Sequence, residues 1–377
     1  MTRTAARLAT ALLAAATLMP LAGPAFASES APAAADRVAL QQALDQLVAD
    51  GVPGVVAEVR DGAGTWHGTS GVADLADGQR ATAEDRFRIG SVTKSFVATV
   101  VLQLVAEHRI VLDDPIERDL PGVVANGQNI TVRELLNHTS GLADYLATVM
   151  SKPDPIRTAQ TAAYTPQDLI AMSAAQGPAF APGTSWAYSN TNYVVLGLLV
   201  EHLTGRPLNQ EITRRIIHPL HLRDTSFPTT AQLPGPHLDG YEWLDGPTAA
   251  PTDLTTFSPS AIWGAGTMIS TTADLGRFYR ALFGGALLPQ DLLAQMRTPH
   301  PIDDTGRAYG LGLESRTYCP ATPAWGHSGS VAGYETFSFT TADGTRQITL
   351  SLNRNLTTTP QTDAEINHVL TLGLCRA

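Results

Sequence analysis

Apolar positions between residues 37 and 50 fall at Val38, Leu40, Leu44 and Leu47, the spacing of one helix face, and Gly51 closes the run. A helix is therefore expected from Asp36 or Arg37 to Asp50. The pattern then changes to short apolar runs broken by turn residues. Residues 52–60 and 64–73 read as two strands joined at Asp61-Gly62. Behind Arg88-Ile89-Gly90, the apolar stretch from Phe96 to Ala106 predicts a helix from Ser91 to about His108. The middle of the chain is rich in helices and loops. Helices are expected at 131–137, at 165–175 with Thr165 as cap, and at 190–204, where Tyr193, Val194, Leu196, Leu198, Leu199 and Leu203 are apolar and Gly205 ends the run.

Strand signals return later. Residues 264–270 read as a strand, followed by a helix capped near Thr271 or Thr272 and running to Phe283. Residues 325–340 contain alternating aromatics and a turn at 329–333. Residues 347–353 read as a strand and 363–374 as a last helix. Both ends thus supply strands and the centre supplies helices. The expected fold is α+β: an antiparallel sheet flanked by helices, with an all-α insert. Residues 37–90 and 264–377 would form the α/β part, and 91–263 the mainly helical part, of one catalytic unit spanning 28–377.

The first 27 residues change the picture of where this unit works. Arg3 and Arg7 precede an Ala/Leu-rich stretch, and Ala25-Phe26-Ala27 fits a small-x-small cleavage pattern. A signal peptide over 1–27 and a secreted protein without membrane anchor are expected. A net charge of −10, which becomes −12 once the two arginines are removed, argues against nucleic acid or an anionic membrane as partner. Two cysteines, Cys319 and Cys375, are expected to pair in an exported protein, with two free thiols as the alternative. Neither the spacing nor the companions of these cysteines suggest a metal, there is no HExxH or His-rich cluster, and no metal or cofactor is called for.

Candidate chemistry begins with an oddity of composition. Lysine occurs only at 94 and 152 among 25 basic residues, yet Lys94 stands before the apolar run. Arginine cannot lose its proton in a protein, whereas a desolvated lysine can. Ser91 lies three residues earlier, on the same helix face. A neutral amine there can take the serine proton and make a nucleophile of it. The plain alternative is a surface lysine at a helix start.

Further on, Tyr188 and Asn190 in "WAYSN" are two apart, so both can face one side of an extended turn. A phenol beside an ammonium ionises more easily, and an amide can orient a carbonyl. An ordinary loop capping the next helix explains them equally well. In Gly326-His327-Ser328-Gly329-Ser330, the glycines let a ligand approach the backbone. An edge strand would present the Ser330 N–H to an oxyanion beside the Ser91 N–H, while His327 would add charge or polarise the tyrosine. The alternative is a glycine turn with a surface histidine.

Together, Ser-x-x-Lys, Tyr-x-Asn and His-x-Gly in this order resemble the penicillin-recognising serine hydrolases, in the branch with class C β-lactamases, secreted serine DD-carboxypeptidases, D-specific aminopeptidases and related esterases. "RFRIGSVTKSF", "TVRELLNHTSGLADY", "PGTSWAYSNTNYVVLGLLVEHLTG", "GAGTMISTTADLGRF" and "YGLGL" carry the same likeness from about Val38 to Cys375. The resemblance implies a β-lactamase/transpeptidase-like fold and catalytic roles for Ser91 as acylated nucleophile and for Lys94 and Tyr188 as shared general base. It implies substrate contacts from Asn190, His327, Ser328, Gly329 and Ser330, with an oxyanion hole from the N–H groups of Ser91 and Ser330.

The secreted DD-carboxypeptidases are the nearest in motif, which implies a small peptide or peptidoglycan substrate ending in D-Ala-D-Ala and β-lactams as inhibitors. Those relatives place an arginine for the substrate carboxylate just after the Gly-Leu-Gly-Leu segment. This chain has Glu314 there, with Arg316 two residues on and available to take over. If it does not, a carboxylate meets a like charge, and a D-aminopeptidase, amidase or esterase becomes the alternative. A β-lactamase and a non-catalytic binder are further alternatives.

Overall fold

The computed structural model describes residues 1–2, 31–319 and 322–375. The expected signal peptide lies almost entirely outside the described residues. Among the described residues no helix is long and apolar enough to cross a membrane.

Helix α1 (Ala31–Ala49) precedes the hairpin of β1 (Gly54–Asp61) and β2 (Gly64–Gly71). The rest of the main sheet comes from the other end of the chain: β3 (His300–Pro301), β4 (Ala308–Tyr309), β5 (Glu314–Cys319), β6 (Thr322–Val331), β7 (Tyr334–Thr341) and β8 (Gln347–Leu352). Its order is β2-β1-β8-β7-β6-β5-β4-β3, and every pairing is antiparallel. The two termini meet at β1 and β8, where Val55 faces Leu352 and Arg60 faces Gln347.

Alternation along these strands fills two cores. Val55, Ala57 and Val59 of β1, with Phe337 and Phe339 of β7, pack under Leu40, Leu44 and Leu47 of α1 and under Ile366, Val369 and Leu370 of the last helix. The opposite face packs on the helix Thr272–Phe283 and, at β6, on helix α2 (Thr93–Ala106), whose Phe96, Val97, Val100, Val101 and Leu104 are fully buried. Each contributes about 1.5–3 kcal/mol by leaving water. Phe96 stacks on Phe278, ring centroids 3.8 Å apart. Beyond its first turn α2 is apolar on nearly every side, as suits a helix in the middle of a molecule.

The helical part includes α3 (Val132–Asn137), opened by a Thr131–Glu134 capping box, and α4 (Asn190–Thr204), closed by Gly205 in the left-handed region. The expected helix caps at Thr165 and Thr271 are also present. Cys319 and Cys375 are bonded, tying β5 to the end of the last helix.

Two expectations are corrected. Residues 264–270 are not one strand: Trp263–Gly266 forms a helical turn and only Ile269–Ser270 pairs, with Phe87–Arg88. A Cβ on Gly264 would stand 2.8 Å from the Tyr193 carbonyl oxygen, so this glycine marks close helix packing. The turn of the 325–340 hairpin lies at Ala332-Gly333, since Val331 already faces Tyr334. Gly329 is within β6, and its missing side chain serves the site described next.

Candidate active site

Gly90, with φ of +49°, bends the chain into the 3-10 turn Gly90–Val92 that feeds α2. This places Ser91 half-buried at the helix start and Lys94 fully buried one turn on. Lys94 Nζ is 2.9 Å from Ser91 Oγ, 2.8 Å from Asn190 Oδ1 and 2.7 Å from the Ala265 carbonyl oxygen. Burial drives its ammonium down to about 7, against the pull of Asp144 and then Glu314. When neutral, Nζ still has two N–H groups for Asn190 and Ala265, and its lone pair faces the serine hydroxyl. The helical turn that displaces the expected strand at 264–266 is what points the Ala265 carbonyl at Lys94.

Tyr188 lies on the loop before α4. Its hydroxyl interacts with Ser91, and its ring centroid is 4.9 Å from Lys94 Nζ. The ammonium does not make this phenol acidic, as the sequence had suggested. Burial pushes it well above its ordinary value, and Glu314, Tyr193 and Asp144 push the same way. Tyr188 is therefore a protonated relay beside an amine that becomes neutral above about pH 7.

Asn190 starts α4 and is fixed from behind by Asp144. The Asp144 carboxylate accepts from Asn190 Nδ2 at 3.0 Å and from the Asn190 N–H at 3.2 Å, and also caps Leu146 N–H at 3.1 Å. His138, fully buried, faces the Tyr188 ring at 4.3 Å, and its Nδ1 accepts the Ser189 N–H at 3.2 Å. Neither Asp144 nor His138 stands out by residue type. Both lie in "LNHTSGLADY", and an Asp directly before an apolar run is a cap signal.

Strand β6 is interior, not an edge, but its pairing with β5 stops at Gly326 opposite Glu314. Residues 327–331 therefore have one free edge, which lies against residues 89–91. A Cβ on Gly329 would stand 1.9 Å from Ile89 O and 3.0 Å from Ser91 N, and one on Gly90 would stand 2.6 Å from Ser330 N. Two facing glycines thus bring the Ser91 and Ser330 peptides together at the mouth.

His327 departs from expectation. It is fully buried and its Nε2 is 2.8 Å from Tyr309 Oη, so it polarises Tyr309 rather than Tyr188. Burial drives it down to about 4, so it adds no charge at neutral pH. Arg316 is also committed. Its Nε and Nη2 donate to Glu314 Oε2 at 2.8 and 2.7 Å, and Nη2 donates to Ser328 Oγ at 2.7 Å. Ser328 Oγ in turn donates to Glu314 Oε1 at 2.9 Å. Burial works against the Glu314 charge, yet His327, Arg316 and Ser328 together hold its carboxyl below the usual range. With His327 neutral, Arg316 is the lasting counter-charge. Among the described residues no group of three or more His, Cys, Asp or Glu is arranged to hold a metal.

A polar set around one buried lysine, on an antiparallel sheet with a helical insert, defines a serine hydrolase of the β-lactamase/transpeptidase-like class. The chain belongs to the Beta-lactamase family, whose profile matches residues 40–372. Among solved structures it is similar to a D-stereospecific amidohydrolase from Streptomyces sp., at 42% identity and TM-score 0.80, covering 88% of this chain and 98% of that one. It is also similar to the D-amino acid amidase from Ochrobactrum anthropi SV3, at 30% identity and TM-score 0.80, covering 89% and 98%. A D-aminopeptidase of Cereibacter sphaeroides is 27% identical over 314 residues, 82% of this chain and 58% of its own length. The chain spans about six-tenths of the length of the curated relatives it matches.

Proposed function

We propose that this protein is an acyl-serine hydrolase of D-amino acid amides and related substrates bearing a free α-amine. The observation that carries this reading is the pairing of Arg316 with Glu314. A DD-carboxypeptidase needs a cation for the terminal carboxylate of its substrate. Here the arginine nearest that position is neutralised by a buried carboxylate and shared with Ser328. A free carboxylate would enter beside Glu314 with Arg316 already paired, whereas an amide end and a cationic amine meet no such penalty. The similarity to a D-stereospecific amidohydrolase and a D-amino acid amidase supports the same choice.

The chemistry follows from the distances. Ser91 Oγ attacks the amide carbon as its proton passes to Lys94 Nζ, 2.9 Å away. The carbonyl oxygen, now an anion, sits between the N–H groups of Ser91 and Ser330. Lys94, through the Tyr188 phenol, protonates the departing nitrogen, which leaves as ammonia or an amine. Water then attacks the acyl-Ser91 ester, giving up a proton to the same base, which returns it to Ser91 Oγ as the acyl–oxygen bond breaks and the D-amino acid is released. Asn190 holds Lys94 and offers its second Nδ2 hydrogen to the substrate. The expected signal peptide and paired cysteines support an exported enzyme.

Steady-state kinetics tests the reading. D-Phenylalaninamide is expected to be turned over at least about tenfold more efficiently than an N-acylated peptide ending in D-Ala-D-Ala, and in preference to L-phenylalaninamide. Faster release of D-Ala from the peptide would overturn it in favour of a carboxypeptidase.

A further inference from the structure

Glu242 lies outside the catalytic set, in the two-residue ladder Tyr241–Glu242 paired with Thr252–Asp253. Its side chain is fully buried. It accepts five hydrogen bonds, none from a cation. Oε1 takes the N–H groups of Gly333 at 3.1 Å, Asn355 at 3.0 Å and Leu356 at 2.7 Å. Oε2 takes the Thr357 N–H at 3.0 Å and its hydroxyl at 2.8 Å. A buried carboxylate survives only with such compensation, and here the donors come from two separate segments, the β6–β7 turn and the loop after β8.

Both segments lead to Ser330. Gly333 is three residues beyond it, at the turn. Asn355, whose N–H is held by Glu242, donates its own side-chain Nδ2 to Ser330 Oγ. The backbone around Glu242 adds to the hold: Tyr241 N–H donates to Asn353 O at 3.0 Å, and Tyr334 Oη donates to Leu238 O at 2.9 Å. A Cβ on Gly333 would stand 2.9 Å from Gly240, so the turn is pressed directly on this segment.

We propose that Glu242 is a positioning residue for the oxyanion contact, clamping the β6–β7 turn and the 355–357 loop so that the Ser330 N–H stays aimed beside that of Ser91. The proposal rests on the acyl-serine reading above. An N–H that is already aimed stabilises the developing anion without reorganising, and loosening it costs rate rather than binding. Glu242→Gln keeps the volume of the side chain but turns one acceptor into a donor facing Thr357. Asn355→Ala removes only the link to Ser330 Oγ.

The test compares wild type and the two variants on D-phenylalaninamide and on its thioamide, at a temperature where thermal melts show all to be folded. Sulfur accepts hydrogen bonds poorly, so the amide-to-thioamide ratio of kcat/KM reads the aim of the oxyanion donors. For Glu242→Gln, kcat on the amide is expected to fall about tenfold or more, with KM within about twofold and the ratio contracted. Asn355→Ala is expected to lose about threefold with the same contraction. A kcat within twofold of wild type in both variants, or equal losses on amide and thioamide, overturns the clamp. If Glu242→Gln does not fold, Asn355→Ala decides alone. Turnover by Ser91→Ala would instead refute the acyl-serine reading, so the two failures are told apart.

Discussion

Replacing Lys94 by methionine should stabilise this protein at neutral pH while abolishing its activity. The Lys94 ammonium is driven from 10.5 to about 7 by burial. At 1.36 kcal/mol per pH unit, that fall of 10.5 − 7 = 3.5 corresponds to about 5 kcal/mol of destabilisation whenever the group is charged. Methionine is similar in length and apolar, so the penalty disappears. Against this stand the lost hydrogen bonds to Asn190 Oδ1 and the Ala265 carbonyl, each leaving a buried acceptor unfilled at about 1–3 kcal/mol. The net expectation at pH 7 is a gain of about 1 kcal/mol.

The sign of the pH dependence is fixed. Between pH 7 and 10.5 the unfolded chain holds a proton on Lys94 that the folded chain has released. Wild-type stability therefore rises by about 1.4 kcal/mol per pH unit relative to the variant. The penalty is fully present below pH 7 and gone above 10.5. From pH 7 to 10 the difference should swing by about 4 kcal/mol, and the wild type should become the more stable protein. Urea unfolding of both proteins at pH 7, 8, 9 and 10, with the disulfide intact, measures it. A difference that does not change with pH would refute a Lys94 that is neutral in the fold and charged out of it.

The acid limb of kcat/KM should have its midpoint near pH 7, where Lys94 becomes neutral, with activity rising above it. Asp144→Asn removes a carboxylate that holds the proton on Lys94, so the midpoint should move to lower pH even as the rate falls; an unmoved midpoint would count against Lys94 as the base. Glu314→Arg should shift selectivity at least about tenfold from D-phenylalaninamide toward a D-Ala-D-Ala peptide, and an unchanged ratio would clear Glu314 of a role in specificity. Opening the Cys319–Cys375 bond, which spans 56 residues, should cost about 4 kcal/mol by loop-closure entropy, seen as a lower urea midpoint of Cys375→Ser.

Much of the site was legible because its parts are local. Ser91 and Lys94 meet across one helical turn, and Tyr188 and Asn190 across a short extended step, so spacing alone brings each pair together. The sheet was legible for a similar reason, since alternating runs at both ends had no other place to bury two faces. What spacing could not supply was the partner of each charged group. Arg316 shares a strand face with Glu314 by spacing alone, yet it reads as available until the folded structure shows its guanidinium donating to both Glu314 and Ser328. His327 reads as a charge until the packing of Tyr309 shows it buried and neutral. Residues 264–270 carry an apolar strand pattern. Yet the close approach of Tyr193 at Gly264 makes a helical turn there, and that turn aims a carbonyl at Lys94. Asp144 and Glu242 act through backbone N–H groups far along the chain, and no short motif encodes such contacts.

The central claim is that Ser91 carries the acyl group in turnover. A rapid acid quench of the enzyme reacting with a D-phenylalanine ester, followed by intact mass and peptide mapping, tests it directly. The account predicts one phenylalanyl adduct per chain, on the peptide holding Ser91, absent in Ser91→Ala and removed on standing in wild type. Turnover by Ser91→Ala, or an adduct on another residue, would contradict it.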